Sequence, residues 1–228
     1  MKKFLTIALA ALAVVSMTSC GGSRALKTEI DTLSYALGTD FGASLMRIVG
    51  TLEEDMNMDV FFKGVEDALE ENVLIEQQEA YAFLRNYMNV VNPKKALENS
   101  NAYLAEIEKM EGVKKTESGL LYQIVREGNE KRATLDSDVV RVMYEGKTRD
   151  GKVFDSSYER GDTAEFALNR VIKGWTEGMK LVGEGGEIKL WIPANLAYGT
   201  RGTRDGSIGP NHAITFTVEV VEVIPTEE

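Results

Sequence analysis

The pentapeptide Val171-Ile172-Lys173-Gly174-Trp175 joins two branched aliphatics and an indole at a turn that opens a helical pattern. Such residues, together with the free backbone N–H at the helix start, can floor an apolar pocket that grips an uncharged ring. Further aromatic and branched side chains stand around this turn, each at a strand end or on a loop. They are Tyr144 before Glu145-Gly146, Phe154-Asp155-Ser156-Ser157, Phe166, Leu196-Ala197-Tyr198-Gly199, and Ile208-Gly209-Pro210 running into Phe216. A cage of this kind supplies no titrating group in reach of carbon chemistry. Other chemistries lack their parts: with Cys20 and His212 as the only cysteine and histidine, a transition-metal cluster cannot be assembled. A Ser-His-Asp triad would need His212, which reads as a surface-loop histidine, and no Gly-x-Ser-x-Gly elbow occurs. Neither a metal nor a cofactor is expected.

The order and spacing of these pieces resemble an FKBP-type peptidyl-prolyl cis-trans isomerase, over roughly Gly119 to Ile224. The resemblance implies that the bound ring is proline and that turnover rotates the Xaa-Pro bond. It implies a catalytic set of Tyr144, Phe154, Asp155, Ile172, Trp175 and Tyr198, with Phe166, Val171, Ile208 and Phe216 binding substrate. In that scheme the Ile172 N–H and the Tyr198 hydroxyl hold substrate carbonyls, and Asp155 sits at the pocket edge with Tyr144 as its hydroxyl partner. Read from the residues alone, Asp155 serves equally as a turn residue before Ser156-Ser157, and Trp175 as plain core. Two departures from the family pattern stand out. Ala164 replaces a second aromatic two residues before Phe166, which is expected to open one side of the pocket, and the loop from Thr200 to Ser207 carries Arg201, Arg204 and Asp205.

Positioning these residues falls to a sheet and one helix. After Gly112 a period of two sets in: Leu120, Tyr122 and Ile124 share a face, as do Val140, Val142 and Tyr144, then Ile188, Leu190 and Ile192, and finally Ile214, Phe216, Val218 and Val220. Each set lines one side of an antiparallel sheet. A single helix is expected over Lys173 to Val182, stopped by Gly183. The fold class is therefore α+β, with a C-terminal antiparallel sheet wrapped on one short helix and an all-α domain before it.

That helical half begins with Leu33, Leu37, Phe41, Leu45 and Ile48 on one helix face, and continues with a short helix capped by Asp59 and closed at Asn72. Gln77 to Met110 is again helical, as two helices or one long helix kinked at Pro93, with Asn92 as a cap. Helices so sparse in apolar residues want a partner chain, although a solvated spacer fits the pattern too. The segments Leu33-Ser34-Tyr35-Ala36-Leu37-Gly38 and Phe62-Lys63-Gly64-Val65 resemble the N-terminal domain of Mip-like members of bacterial envelopes, which implies a homodimer through these helices.

Ahead of it, Met1-Lys2-Lys3 and the apolar run from Phe4 to Val15 have the layout of a secretory leader. Met17-Thr18-Ser19-Cys20 resembles a bacterial lipobox, which implies a lipid anchor at Cys20. The expected division is 1–19 signal peptide, 20–29 tether, 30–111 α-helical dimerisation domain and 112–228 isomerase domain. Every pocket residue follows Gly112, so the chemistry is expected to be self-contained there. The expected setting is the bacterial envelope, at the outer membrane facing the periplasm. A net charge of −10 without a basic face argues against nucleic acid. The partners expected are proline-containing unfolded or nascent exported polypeptides. Two other readings remain: a chaperone or binding module with incidental turnover, and a nutrient-binding surface lipoprotein.

Overall fold

The structure is a computed structural model and describes residues 26–226; the leader and Cys20 lie outside that span. The chain divides into two units between Met46 and Arg47. The first holds most of α1 (Glu29–Val49). Its start is a reciprocal cap, in which the Thr28 hydroxyl accepts from the Asp31 N–H and the Asp31 carboxylate accepts from the Thr28 N–H. The apolar stripe expected there exists as a helix face, and Leu33 and Leu37 remain exposed on it.

In the second unit α2 (Met58–Leu69) is capped by Asn57, whose side chain accepts from the Asp59 and Val60 N–H groups. Asp59, expected as the cap, lies in the first turn instead, where its charge suits the helix dipole. Glu71, in the left-handed region, turns the chain beyond the helix, and the Asn72 N–H closes on the Asp67 carbonyl. From Gln77 to Glu108 the chain is helical throughout: α3 (Gln77–Asn86), a π turn over Tyr87–Val91, and α4 (Asn92–Glu108). Pro93 has no N–H and crowds the preceding turn, and widening the ladder there accommodates its ring. Asn92 caps nothing. Its side chain donates to the Thr51 carbonyl and accepts from the Glu53 N–H, which pins the segment after α1 to α4.

The strands are β1 (Lys114–Lys115), β2 (Leu121–Arg126), β3 (Val139–Thr148), β4 (Val153–Ser156), β5 (Ala164–Ala167), β6 (Glu187–Ile192) and β7 (Ile214–Ile224). They form one antiparallel sheet in the order β1-β2-β6-β7-β3-β4, with β5 also on β3. The strand β3 is its hub: β7 runs along one edge from end to end, while β4 takes one half of the other edge and β5 the remaining half. The alternation read from the sequence is the burial pattern of β3 and, as far as Val220, of β7; at β2 both Leu120 and Leu121 are buried while Tyr122 and Ile124 are only partly so, and in β6 Trp191 is buried beside Leu190 and Ile192. Val140, Val142, Ile188, Leu190, Ile192, Ile214, Val218 and Val220 are all fully buried in one core.

Between β4 and β5 lies the single turn α5 (Ser157–Arg160), and α6 (Lys173–Gly178) packs on β6. Close approach explains the two glycines of α6. A Cβ on Gly174 would stand 2.4 Å from Ile192 Cγ2, and one on Gly178 2.7 Å from Leu190 Cδ2. The helix is shorter than the expected Lys173 to Val182. Past Gly178 the bonds tighten to i→i−3, from Lys180 to Glu177 and from Leu181 to Gly178, and the Gly183 N–H leaves for the Glu127 carbonyl. Met179 and Val182 are nevertheless fully buried, so the apolar spacing survives the loss of helix.

Candidate active site

Gly146 of β3 makes room for the first wall. A side chain there would meet Phe216 at 2.6 Å and Phe154 at 2.7 Å, so the two rings close over bare backbone. Phe154 stands edge-on to Phe216, with centroids 5.5 Å apart. Trp175, delivered by the close seat of α6, is the floor. Its ring makes edge contacts with Tyr144 at 5.2 Å, Phe166 at 5.4 Å and Phe216 at 5.1 Å. Such pairs are each worth about 0.5–1.5 kcal/mol beyond area burial, which makes the floor stiff. Among the described residues the Trp175 Nε1–H is the buried side-chain polar atom without a partner.

Above this floor opens a cavity of about 270 Å³ lined by Tyr144, Asp155, Phe166, Arg170, Val171, Ile172, Trp175, Tyr198 and Phe216. A second hollow of about 420 Å³ adjoins it, sharing Asp155 and Tyr198 and adding Phe154, Thr203, Arg204, Asp205, Ser207 and Ile208. Thus eight of the ten residues expected from the sequence surround the first cavity, and Phe154 and Ile208 line the second. Ala164 sits opposite Val142 on β5 and lines neither.

Asp155 is placed by its register opposite Gly146, and its carboxylate is held from two sides. The Tyr144 hydroxyl donates to Oδ2 at 2.6 Å, and Arg160 Nη1 donates to Oδ1 at 2.7 Å. Arg160 Nη2 also donates to the Tyr144 hydroxyl at 2.9 Å, and the guanidinium lies 5.6 Å from that ring's centroid. Burial, then the bond to Asp155, raises the Tyr144 pKa above the ordinary phenol range. Its hydroxyl therefore stays a donor, spent on Asp155. Buried Ser157 fixes the strand beneath, accepting from the Tyr144 N–H at 2.8 Å.

Arg160 was not foreseen as part of this set. A signal for it existed: Ser156-Ser157-Tyr158-Glu159 followed by Gly161 spells a capped single turn. The Ser156 hydroxyl does accept from the Glu159 N–H, and that turn brings Arg160 back to Asp155. Arg170, exposed at the cavity wall, is a second lining residue that the sequence reading did not single out.

Two donors belong to residues that line the cavity. Tyr198 is half-buried, and burial, then Asp155 and Asp205, raises its pKa, so its hydroxyl keeps its proton. No described hydrogen bond uses that hydroxyl. Ile172 has extended backbone ahead of α6, and its carbonyl accepts from the Trp175 and Thr176 N–H groups. The Thr176 hydroxyl donates to the Leu168 carbonyl at 2.6 Å and fixes the approach to this turn. His212 corrects its expectation. It is largely buried, with Nε2 2.8 Å from the Glu53 carboxylate, because the segment after α1 folds over it. Among the described residues there is no cluster of histidine, cysteine, aspartate and glutamate fit for a metal.

Comparison with known proteins follows the same lines. A family model described as FKBP-type peptidyl-prolyl cis-trans isomerase matches residues 130–221. A second, described as the domain amino terminal to FKBP-type peptidyl-prolyl isomerase, matches residues 30–124. A probable FKBP-type peptidyl-prolyl cis-trans isomerase of Haemophilus influenzae is 38% identical over 100% of both chains. The outer membrane protein MIP of Legionella longbeachae is 33% identical over 97% of each. The crystal structure of FkpA from Escherichia coli superposes with a TM-score of 0.57 at 35% identity, covering 89% of this chain and 100% of that one.

Proposed function

The chain belongs to the FKBP-type peptidyl-prolyl cis-trans isomerase family and is an isomerase of that type, and from this we propose that it turns Xaa-Pro bonds in the cavity floored by Trp175. The observation that carries the assignment is the aromatic cage itself: four rings converge on a cavity whose wall includes one uncommitted hydroxyl, that of Tyr198. The proline ring rests on Trp175 between Phe166, Val171 and Phe216. The Ile172 N–H and the Tyr198 hydroxyl hold substrate carbonyl oxygens, and Phe154 and Ile208 cover the residues beside proline.

Rotation about a peptide bond meets a barrier of about 18–20 kcal/mol because it breaks amide resonance. The planar amide separates charge, and water favours that form. In an apolar cage this advantage shrinks, whereas the twisted form, with a nearly single C–N bond, loses little. The hydrogen bonds fix the chain on either side so that the twist is confined to one bond. Asp155, braced by Tyr144 and Arg160, orients the substrate backbone at the cavity edge. No proton needs to move.

A protease-coupled peptide assay tests the site. Phe154→Ala and Tyr198→Phe should each lower kcat/KM by about tenfold, the equivalent of one ~1.4 kcal/mol contact, and Asp155→Ala by less. Wild-type rates in all three, with unchanged melting, would put the site elsewhere.

The finer setting follows from the rest of the chain. We assign 30–111 to dimerisation and 112–228 to the pocket, with Cys20 as the lipid anchor after a 19-residue leader, holding the protein at the outer membrane on its periplasmic side. A relative is named an outer membrane protein. Among the described residues no helix is long and apolar enough to cross a membrane. Homodimerisation is supported by apolar side chains left exposed on the helices, Leu33, Leu37, Val60, Leu69 and Leu84 among them. Clients are proline-containing exported polypeptides. Incorporation of labelled fatty acid at Cys20 tests the anchor and sedimentation tests the dimer; an unlabelled chain or a monomer would remove the respective claim.

A further inference from the structure

The loop between Tyr198 and β7 is fastened to the helices by its base. The Asn211 N–H donates to the Gly199 carbonyl at 2.9 Å and closes the loop. Beside that closure Asn211 Nδ2 donates to the Pro93 carbonyl of α4 at 2.9 Å, and the Ala213 N–H donates to the Ser100 hydroxyl of α4 at 3.0 Å. Between them His212 meets Glu53, in the segment joining α1 to α2, at 2.8 Å. A carboxylate only accepts, so the His212 Nε2 carries the proton of this bond.

Glu53 is the centre of the knot. Its side chain is 1% exposed. One oxygen faces His212, and the other accepts from Arg149 in the β3–β4 turn and from Asn99 Nδ2 of α4 at 2.7 Å. Arg149 Nη1 lies 3.4 Å from the Ser100 hydroxyl, and Asn92 holds the Glu53 N–H. Burying a carboxylate costs several kcal/mol unless it is fully partnered. A helix serving only as a spacer has no need of such a group. What the knot touches is the route to the pocket. The His212 ring packs on Gly209, where an added Cβ would stand 2.9 Å from Nε2, and Gly209 follows Ile208. Ile208 is itself clamped within the loop, its N–H donating to the Thr203 hydroxyl and its carbonyl accepting from the Thr203 N–H.

We propose that Glu53 is a positioning residue of the isomerase site: with His212 as intermediary, the helical segment sets where the loop from Gly199 to His212 holds Ile208, and where Tyr198 stands at its other end. The proposal rests on the reading that this cavity is the active site. It revises the expectation that everything needed for the chemistry follows Gly112.

The test uses the full chain and separates KM from kcat in peptide isomerisation well below the melting temperature. Glu53→Gln should raise KM about three- to tenfold, the size of one lost hydrogen bond, with kcat changed less than twofold. Asn211→Gly, which keeps the left-handed backbone of Asn211 (φ 61°) and cuts only the tie to Pro93, should move KM in the same direction and decides the matter if the Glu53 variant does not fold. Glu54→Gln is the control, since that exposed carboxylate binds Lys95 and Tyr87 and leaves the loop alone. Wild-type KM in the folded Glu53 and Asn211 variants overturns the proposal. Phe154→Ala, run alongside, tells the two readings apart: if it too is wild type, the site assignment has failed, and if it alone is impaired, only the role of Glu53 has.

Discussion

Side chains at the pocket divide into those whose type announced them and those placed by a turn. Phe166 and Phe216 were legible because large aromatics on alternating segments have few places to go but the core, and Trp175 because it stands with branched aliphatics at the start of a helical pattern. The role of Tyr144 as hydroxyl partner of Asp155 came only with the resemblance. For Arg160 the capped turn was legible in Ser156-Ser157-Tyr158-Glu159 and Gly161, but one helical turn carries no period to tell that its last residue reaches back to Asp155. Arg170 has a different interest. It is exposed on the cavity wall, and no ion pair involving it is found among the described residues, so a substrate carboxylate next to proline can pair with it. Peptides with glutamate beside proline should be turned over faster than those with lysine, by about two- to fivefold for a solvent-screened pair worth up to ~1 kcal/mol. Arg170→Glu should reverse the order; the same preference in both proteins would rule this pairing out.

For the elements, period was a better guide than boundary. Alternation placed the long strands because each has one face in the core, yet nothing local foretold that β3 would share one edge between β4 and β5. Sheet order is a property of distant pairings. The last turn expected of α6 failed because apolar spacing also suits a chain tightening into i→i−3 bonds. Asn92 failed as a cap because its amide found Thr51 and Glu53, partners forty residues away in sequence that a local rule cannot see. The seat of α6 can be tested. Gly174→Ala drives a methyl into Ile192 and should destabilise the fold by about 1–3 kcal/mol. By lifting Trp175 it should also lower kcat/KM. Thermal melting and the peptide assay together check this, and a silent Gly174→Ala would mean that the contact yields easily.

Over the whole molecule, the two halves read from the sequence are real as patterns, helical before Gly112 and alternating after it. Packing nevertheless joins α4 to the sheet, with Ala96 and Ser100 buried and the Tyr103 hydroxyl 3.0 Å from that of Thr215. A lone histidine in a loop gave no hint of this junction. It also makes stability depend on pH. Burial, then the Arg149 guanidinium, hold the His212 imidazole below its usual range, against the pull of Glu53 and Asp150. The unfolded chain takes up a proton near pH 6.5 and the folded chain only at lower pH, so the unfolded state binds more protons in between. The contribution is whole above about pH 6.5 and is lost as pH falls through the folded value. Melting temperature should therefore drop between pH 7 and 5.5, and less so in His212→Gln. Equal slopes in the two proteins would remove histidine as the cause.

The unpaired indole N–H under the cavity has an optical consequence. Trp175 and Trp191 are both buried, and as Leu190 faces the core, its neighbour Trp191 points to the opposite side of β6. Emission from Trp175 should lie at short wavelength, since the indole is nearly wholly buried among the rings of Tyr144, Phe166 and Phe216. A proline peptide that settles on that ring would change its intensity and leave Trp191 as a steady background. Titrating unlabelled peptide while following fluorescence should thus give a saturable signal in the wild type that vanishes in Trp175→Phe and persists in Trp191→Phe. The ring assigned as the floor for proline is thereby also a lamp by which occupancy can be watched.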